Sequence, residues 1–555
     1  MAIRTERDSA ATPGRIRALL RSEAGCAWAL SLLFLGLAGI GVLHHEMWRD
    51  EWQAWWLFAK CPSLGVLFDR LRAESQLPLW PLCIFAVGRL IDHPLAMQGL
   101  HVLIATASVF LFARFAPFQR WLKIVFAFGY FPFFEYAIIS RNYALGFCFA
   151  LLFCVAFCQR RRLLAAFALL GLAASSHQGL LLVLPMQFLL VRDWVGRSTG
   201  RGGSKKVALV SLGVVALLAA CLWALFPVQR VLGTHLHADI DCVRAVRTTA
   251  TIWNAYVPLP PPATEQIWDT NLLDTYNVWE NVSPHSGLTM ADPLEKRELW
   301  AFLFSVALVV LGVRALSRAR ALAAAFLACV ILQLLFSYAV YFGSLRHHGH
   351  LLLALVMCVW LSRGSVPRGG AGGFRNPSLG RFLPALLLIQ MAAGITFYVL
   401  DLVRPFSPSA QVAQFTREIQ WGVRPIIGSP DYLMSPVAAI LWRSFRSLDT
   451  GERVTAIDWS AGRDLDPTTV ARRIAGFVRR SMSRKLLLVT GYSVEALAPV
   501  QRPLLGPTGI QLTPIHAFGP GLVPDERYIV YFVQPRGDPV PKRMRSLAIG
   551  ETFTF

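Results

Sequence analysis

The chain has 555 residues, of which 55% are hydrophobic and 16% charged, and its formal net charge is +21. A soluble globular protein of this length would not contain so many long apolar runs. The positive charge does not indicate a nucleic-acid partner either, because the basic residues collect in short loops between the apolar runs, as in the cytoplasmic loops of membrane proteins. The composition therefore indicates a protein of the lipid bilayer.

Apolar runs of about 20 residues predict membrane-spanning helices, because that length crosses the hydrocarbon core. The first run, 25–43, lacks a small-residue cleavage site, so we expect a retained span and not a removed signal peptide. The run 78–91 is shorter and is interpreted as a re-entrant or interfacial segment. About eleven spans are predicted, at 24–44, 95–113, 117–137, 141–158, 163–175, 178–194, 207–225, 299–315, 321–341, 348–362 and 381–401.

Clusters of basic residues set the expected orientation, since lysine and arginine collect on the cytoplasmic side. Such clusters lie in 1–23, 160–162, 192–206, 314–320 and 363–381. An odd number of spans then places three regions outside, namely 45–78, the acidic segment 226–298 and the tail 402–555. The tail alternates helix-like and strand-like runs. The predicted fold is mainly α: a polytopic membrane helix bundle over 24–401, with a C-terminal extracytoplasmic α/β domain.

An acidic pair, Asp50-Glu51, follows the first span. Carboxylates at this depth are costly to place and indicate a functional site. Tryptophans, which favour the membrane–water boundary, surround the pair at positions 48, 52, 55 and 56. Apolar residues at helical spacing after Ser63 predict an amphipathic helix in the interface. We expect this loop to hold Asp50 near the lipid headgroups; alternatively, both carboxylates cap the N-terminus of a surface helix.

Basic groups are predicted on the same side of the membrane, where the charge rule disfavours them. Arg141 lies between two spans, and Arg346-His347-His348 lies between two later ones. A phosphate partner would explain them, because it pairs strongly with arginine; snorkelling toward ordinary headgroups is the alternative. His177, at a predicted outside turn, is either a hydrogen-bonded structural residue or a contact to a phosphate or sugar.

Two further groups in the outside regions are candidates for binding or cross-linking. In an extended segment, alternate side chains share one face, which would align His235, His237, Asp239 and Asp241 as ligands for a divalent ion. A polar loop without an ion is the interpretation we favour. Cys61 and Cys242 could form a disulfide in an oxidising compartment.

The order of these motifs resembles the GT-C superfamily of lipid-linked-sugar-dependent glycosyltransferases, in particular the protein O-mannosyltransferase and lipid A aminoarabinose transferase group. That group has an Asp-Glu motif in its first outside loop, matched here by Asp50-Glu51. The segments 75–80, 140–143 and 341–347 are similar to its later GHPPLW, EARxY and RY-like motifs. The match at 140–143 keeps the arginine and tyrosine but lacks the acidic residue. The resemblance covers residues 24–401.

This resemblance implies inverting transfer of a sugar from a polyprenyl-phosphate donor to a hydroxyl or amine outside the membrane. Asp50 would be the general base, and Glu51 would orient it or bind a metal. The residues implied to bind the lipid phosphate are Arg141, Tyr143, Arg346, His347 and His348. Those implied to line the substrate pocket are Trp48, Gln76 and His177.

The implied partners are the polyprenyl-phosphate-linked sugar, the lipid bilayer, and an acceptor that is an envelope glycan, lipid or protein. The implied location is a bacterial inner membrane, with a cytoplasmic N-terminus and a periplasmic C-terminus. A divalent ion, Mg²⁺ or Mn²⁺, is an open expectation. A transporter or flippase of lipid-linked saccharides, or a non-catalytic polysaccharide-assembly subunit, would need similar basic groups. We favour an enzyme because the two halves look unlike, whereas transporters often carry similar halves.

Overall fold

The structure is a computed structural model, and every structural statement below concerns the residues that it describes. These are 22–74, 76–195, 211–213, 216, 239–261, 267–273, 293–364, 377–419, 425–457, 467–480, 485–492, 510–519, 521–523, 525–535, 537–539, 541–542, 547 and 553–554.

The chain before the tail is helical. In order, its α-helices are α1 (Glu23–His44), α2 (Arg49–Ala54), α3 (Leu64–Glu74), α4 (Leu79–Leu90), α5 (Leu95–Phe115), α6 (Arg120–Ala127), α7 (Tyr143–Cys158), α8 (Arg162–Ala173), α9 (His177–Val195), α10 (Cys242–Tyr256), α11 (Lys296–Leu316), α12 (Arg320–Ala339), α13 (Leu345–Gly364) and α14 (Pro377–Val403). Two π-helical turns, Trp55–Ala59 and Tyr130–Glu135, lie between them.

Six of the described helices are long and apolar enough to cross a membrane: α1, α5, α9, α11, α12 and the part of α14 from Arg381. They indicate a multi-pass membrane protein, whereas the number of about eleven spans stays a prediction. The segment 78–91 forms α4, whose 12 residues are too few to cross. The predicted span 207–225 lies almost entirely outside the described residues.

The predicted span 117–137 is not one continuous helix. It is divided into α6 and the π-helical turn Tyr130–Glu135. Gly129 has an extended backbone between the two pieces, and Pro132 cannot donate a backbone hydrogen bond. The chain therefore changes direction here, and the following turn reaches the end of the bundle where Arg141 lies.

Helix α13 is the central helix of the bundle. Every residue from Leu345 to Leu361 is buried, as expected for a helix surrounded by others. It packs against α7, α9, α10 and α12. A side chain at Gly349 would clash with Tyr136 and Phe131. This close approach lets the Tyr136 hydroxyl donate to the carbonyl of Arg346 at 2.7 Å, which fixes the first turn of α13.

The tail contains a seven-stranded sheet with helices on both faces. Its described elements are α15 (Ser409–Ile419), β1 (Ile426–Ser429), α16 (Asp431–Leu441), β2 (Phe445–Ser447), β3 (Arg453–Val454), α17 (Pro467–Arg480), β4 (Leu486–Thr490), β5 (Ile510–Phe518), β6 (Tyr528–Pro535) and β7 (Phe553–Thr554).

The strand order of this sheet is β3-β2-β1-β4-β6-β5-β7. β1 is parallel to β2 and β4, and the other pairs are antiparallel. Neighbouring residues of a strand point to opposite faces. In β4, Leu487 accordingly packs with α15 and α16, and Leu488 packs with α17. α16 also contacts α2, which carries the acidic pair.

Candidate active site

Asp50 and Glu51 are adjacent on α2 but have different surroundings. The Asp50 side chain is 10% exposed, whereas that of Glu51 is fully buried. Oε2 of Glu51 accepts a hydrogen bond from the backbone N–H of Trp48 at 3.3 Å, which satisfies one of the free N–H groups at the helix start. The capping interpretation of the sequence therefore applies to Glu51, whereas Asp50 is partly exposed and pairs with arginines from other parts of the chain.

Two arginines reach Asp50 from distant parts of the chain. Nη2 of Arg141 lies 3.3 Å from Asp50 Oδ2, and Nη1 donates to the Asp50 carbonyl at 3.0 Å. Nη2 of Arg346 lies 3.5 Å from the same Oδ2. The turn that carries Arg141 is held by His101, whose Nε2 lies 2.9 Å from the Arg141 carbonyl. The sequence predicted that these three charged groups face one side, and the structure brings them into one cluster.

The Arg346 guanidinium lies in an aromatic enclosure at the start of α13. Its centre is 4.9 Å from the Trp48 ring and 5.5 Å from the Trp268 ring. Such rings attract a cation through their negative faces. Asp269 lies in the same region, and its Oδ1 accepts from the backbone N–H of Leu345 at 2.6 Å. Burial raises the pKa of Asp269 to about 7, although the charge of Arg346 opposes the shift.

Several guanidinium donors of this cluster are available to a ligand. Nε of Arg141, and Nε and Nη1 of Arg346, are buried and have no hydrogen-bond partner in the described part of the chain. An unpaired buried donor costs roughly 1–3 kcal/mol, and more when it is charged. An anion that accepts from all three would remove this cost. Phosphate oxygens match the planar fork of arginine donors.

Glu51 belongs to a second, fully enclosed network. His45 places Nε2 at 2.9 Å from Glu51 Oε2 and Nδ1 at 2.9 Å from Asp401 Oδ2. The other Glu51 oxygen accepts from the backbone N–H of Ser140 at 2.6 Å. Burial disfavours a charged imidazole, but the carboxylates of Asp401 and Glu51 more than offset it and raise the pKa of His45 to about 10. His45 therefore joins α2, the Arg141 turn and α14 as an imidazolium that donates from both nitrogens.

The tail holds α2 from another side. Nη2 of Arg49 lies 2.6 Å from Asp525 Oδ2, and its backbone N–H donates to Glu526 Oε1 at 3.0 Å. Gln53 makes a paired contact to Ile457: its Nε2 donates to the carbonyl at 3.0 Å and its Oε1 accepts from the N–H at 2.9 Å. Burial raises the pKa of Glu526 to about 7, while the charge of Arg49 opposes the shift. The helix that carries Asp50 is thus packed between the membrane bundle and the tail.

The other residues predicted to bind the lipid phosphate lie beside this cluster. Tyr143 is buried and interacts with Arg346. Nδ1 of His347 accepts from the backbone N–H of Ser344 at 2.9 Å. Nε2 of His348 lies 2.9 Å from the carbonyl of Phe342. Both histidines therefore stabilise the turn that leads into α13.

Trp48, Gln76 and His177 were predicted to line the substrate pocket. Trp48 is fully buried within the protein, and its ring contacts Arg346; its expected place at the membrane–water boundary stays a prediction. Gln76 is half-buried, and its backbone N–H donates to the carbonyl of Leu71 at the end of α3. His177 begins α9, and its ring stacks on Phe336 at 6.0 Å between centroids. Among the described residues, Trp48 is the one of these three that contacts an arginine paired with Asp50.

The predicted metal ligands are only partly described. His235 and His237 lie outside the described residues. Asp241 caps α10, because its Oδ1 accepts from the backbone N–H of Val243 at 2.8 Å. Among the residues that the structure describes, no group of three His, Cys, Asp or Glu side chains could hold a metal ion. The disulfide considered between Cys61 and Cys242 is wrong, since both are free thiols, one buried and the other exposed.

Sequence reasoning missed several charged residues of the two networks. Glu135 is buried, and its Oε2 accepts from the Tyr130 hydroxyl at 2.6 Å. Glu135 and Asp401 both lie in apolar runs, which is a recognised sign of a functional or paired carboxylate. Asp525 and Glu526 gave no such signal, since they lie in an ordinary polar stretch of the tail.

The fold and the site together define a multi-span membrane protein with an arginine–carboxylate cluster at the ends of its helices. No protein-family model and no curated protein sequence matches the chain. Matching solved structures include arabinofuranosyltransferase AftD from Mycobacteria, with 12% identity, a TM-score of 0.38, and coverage of 92% of this chain and 39% of AftD.

ArnT from Cupriavidus metallidurans in the apo state also matches, with 14% identity, a TM-score of 0.37, and coverage of 95% of this chain and 100% of ArnT. ArnT bound to undecaprenyl phosphate matches at 12% identity and a TM-score of 0.35, over 94% and 98% of the two chains. TM-scores below 0.5 assign no function to this chain.

Proposed function

We propose that the protein is an integral-membrane glycosyltransferase that moves a sugar from a polyprenyl-phosphate donor to an acceptor hydroxyl or amine. The observation that carries this proposal is the contact of Asp50 with Arg141 and Arg346, at 3.3 and 3.5 Å, beside three unpaired guanidinium donors. It combines a carboxylate that can take a proton with an anion site for a leaving phosphate.

In this mechanism Asp50 accepts the proton of the acceptor group as its oxygen or nitrogen attacks the anomeric carbon. The bond from that carbon to the phosphate oxygen breaks, and the electron pair leaves with the polyprenyl phosphate. Configuration inverts at the anomeric carbon because attack and departure occur on opposite faces. Arg141 and Arg346 bind the departing phosphate and stabilise the charge that develops on it. Glu51 acts as a positioning residue, since both of its oxygens are bonded within the protein.

The decisive experiment measures loss of sugar from the donor in proteoliposomes, with a panel of labelled polyprenyl-phosphate pentoses and hexoses. Asp50→Asn should keep donor binding and lower the transfer rate roughly 10²–10⁴-fold, the usual contribution of a general base. Asp69→Asn is the matched control, because Asp69 is an exposed acid on α3 in the same loop. Transfer that survives in Asp50→Asn would contradict the general-base role, and flipping of the donor without transfer would favour a transporter.

We also propose that the N-terminus is cytoplasmic and that the site and the tail face the periplasm of a bacterial inner membrane. The basic loops and the predicted number of spans support this orientation. Single cysteines at positions 70, 200 and 450, in a background without native thiols, should be labelled from outside, inside and outside respectively. A divalent ion remains a prediction, and a transfer rate that a chelator leaves unchanged would contradict it.

A further inference from the structure

A second candidate site lies in the tail, in a cleft of about 1090 Å³ between the β2–β3 edge of the sheet and α17. Ligand sites in proteins are typically about 300–1,000 Å³, so the cleft is large enough for several sugar rings. Four arginines line it, at positions 443, 446, 453 and 473. Among the described residues that line it, none is acidic. The cleft therefore has a positive field.

Contacts within the protein orient two of these arginines. Arg446 donates from Nη1 to the carbonyl of Gly451 at 2.8 Å, and its guanidinium lies 5.3 Å from the Phe477 ring. Arg473 donates from Nη1 to the carbonyl of Leu448 at 2.5 Å. These bonds hold both guanidinium groups in place at the cleft that they line. A nearby acid, Asp449, accepts from the Ser429 hydroxyl at 2.6 Å and from the backbone N–H of Asp431 at 2.7 Å, and its charge interacts with Arg473.

An aromatic ring closes the end of the cleft that adjoins the first loop. Trp442 lines the cleft and is 52% exposed. Its backbone is left-handed, with φ of 53°, which is rare and costly for a bulky residue. Its ring packs edge-on against Trp56 at 5.6 Å, with the ammonium group of Lys60 4.5 Å above it. The strained backbone thus presents a large apolar ring beside the arginines.

We propose that this cleft binds an acidic saccharide, one whose sugar rings carry carboxylate or phosphate groups. The arginines pair with the anionic groups, and the exposed indole offers an apolar face on which a sugar ring can stack. A flat membrane surface does not fit inside a concave cleft, so a saccharide chain is the better match than lipid headgroups. The site is independent of the proposed transfer reaction, because no residue that pairs with Asp50 lines it.

The test is a binding titration of the full chain in phosphatidylcholine nanodiscs with an oligogalacturonate. A neutral maltooligosaccharide of equal length is the control ligand. We expect the oligogalacturonate to bind, more weakly as salt rises, and the neutral chain to bind far less. Arg453→Gln and Arg473→Gln should each weaken binding roughly tenfold, as expected for loss of a hydrogen bond to a charged group. Arg453 is exposed on β3, whereas Arg473 lies on α17. Weaker binding in both variants would therefore not result from local damage to a single element.

Arg472→Gln is the matched control variant, because Arg472 is exposed on the same helix but does not line the cleft. It should bind as the unchanged protein does. Asp50→Asn should also retain binding, which separates this proposal from the transfer reaction. The proposal is overturned if the oligogalacturonate does not bind, if the neutral chain binds equally well, or if Arg472→Gln weakens binding as much as Arg473→Gln. Binding that depends on these arginines but appears only with phosphatidylglycerol vesicles would likewise overturn it in favour of the membrane.

Discussion

The two carboxylates of α2 show how neighbouring residues can serve opposite purposes. Asp50 lies in a cluster with two arginines, is partly exposed, and adjoins guanidinium donors that have no hydrogen-bond partner in the described part of the chain. Glu51 lies in a closed network, where both of its oxygens and both ring nitrogens of His45 are paired. Buried polar networks rigidify a structure when satisfied, whereas a buried charged donor without a partner carries a free-energy cost that a bound anion would remove. We therefore call the network of His45, Glu51 and Asp401 the anchor of α2. The cluster around Asp50 is the reactive site.

The largest expected effect on stability comes from breaking the anchor. His45→Gln removes a buried imidazolium and leaves two buried carboxylates without their counter-charge. Removal of one partner from a buried ion pair typically costs about 3–5 kcal/mol, so we expect a clear fall in the thermal unfolding midpoint. Asp50→Asn should lower it less, because the Asp50 side chain is 10% exposed whereas those of His45 and Glu51 are fully buried. An equal fall in the two variants would erase the distinction between anchor and site.

The anchor also predicts an alkaline transition. Because the pKa of His45 rises from 6.5 to about 10 in the folded protein, its contribution to the free energy of unfolding is fully present below pH 6.5. That contribution is lost as the pH rises through about 10. Unfolding midpoints measured across this range should decline more steeply in the unchanged protein than in His45→Gln. Parallel pH profiles would show that the imidazolium is not the stabilising species.

A second, smaller effect concerns the site arginines. Arg346→Lys keeps the charge but loses the planar fork, together with the unpaired Nε and Nη1 donors. We expect the affinity for a polyprenyl phosphate to fall roughly tenfold, the equivalent of about 1.4 kcal/mol. Arg141→Lys should weaken it less, since one unpaired donor is lost there and not two. A lipid-binding titration with the purified variants ranks them, and unchanged affinity in Arg346→Lys would contradict the phosphate role.

Parts of this site could be predicted from the sequence, because charges beside apolar spans are conspicuous. Asp50, Arg141 and Arg346 each flank such a run, and span counting placed them on one side. The partners of the anchor could not be found that way, since His45 and Asp401 are separated by 356 positions and nothing periodic connects them. Arg49 and Glu526 are separated by 477. The contact of the Trp48 ring with Arg346 could not be predicted either, since a preference for the membrane interface does not reveal which side chain packs against the ring.

The smallest expected effect tests the contact between α2 and the tail. Burial raises the pKa of Glu526 from 4.5 to about 7, so the folded protein binds more protons than the unfolded chain between these values. Stability should therefore decrease as the pH rises from about 4.5 through 7. Glu526→Gln should flatten this part of the profile, while its amide can still accept from the N–H of Arg49. Glu452→Gln, at an exposed position of the tail, should leave the slope unchanged. If the slope persists in Glu526→Gln, then another group titrates in this range and the raised pKa of Glu526 is not its cause.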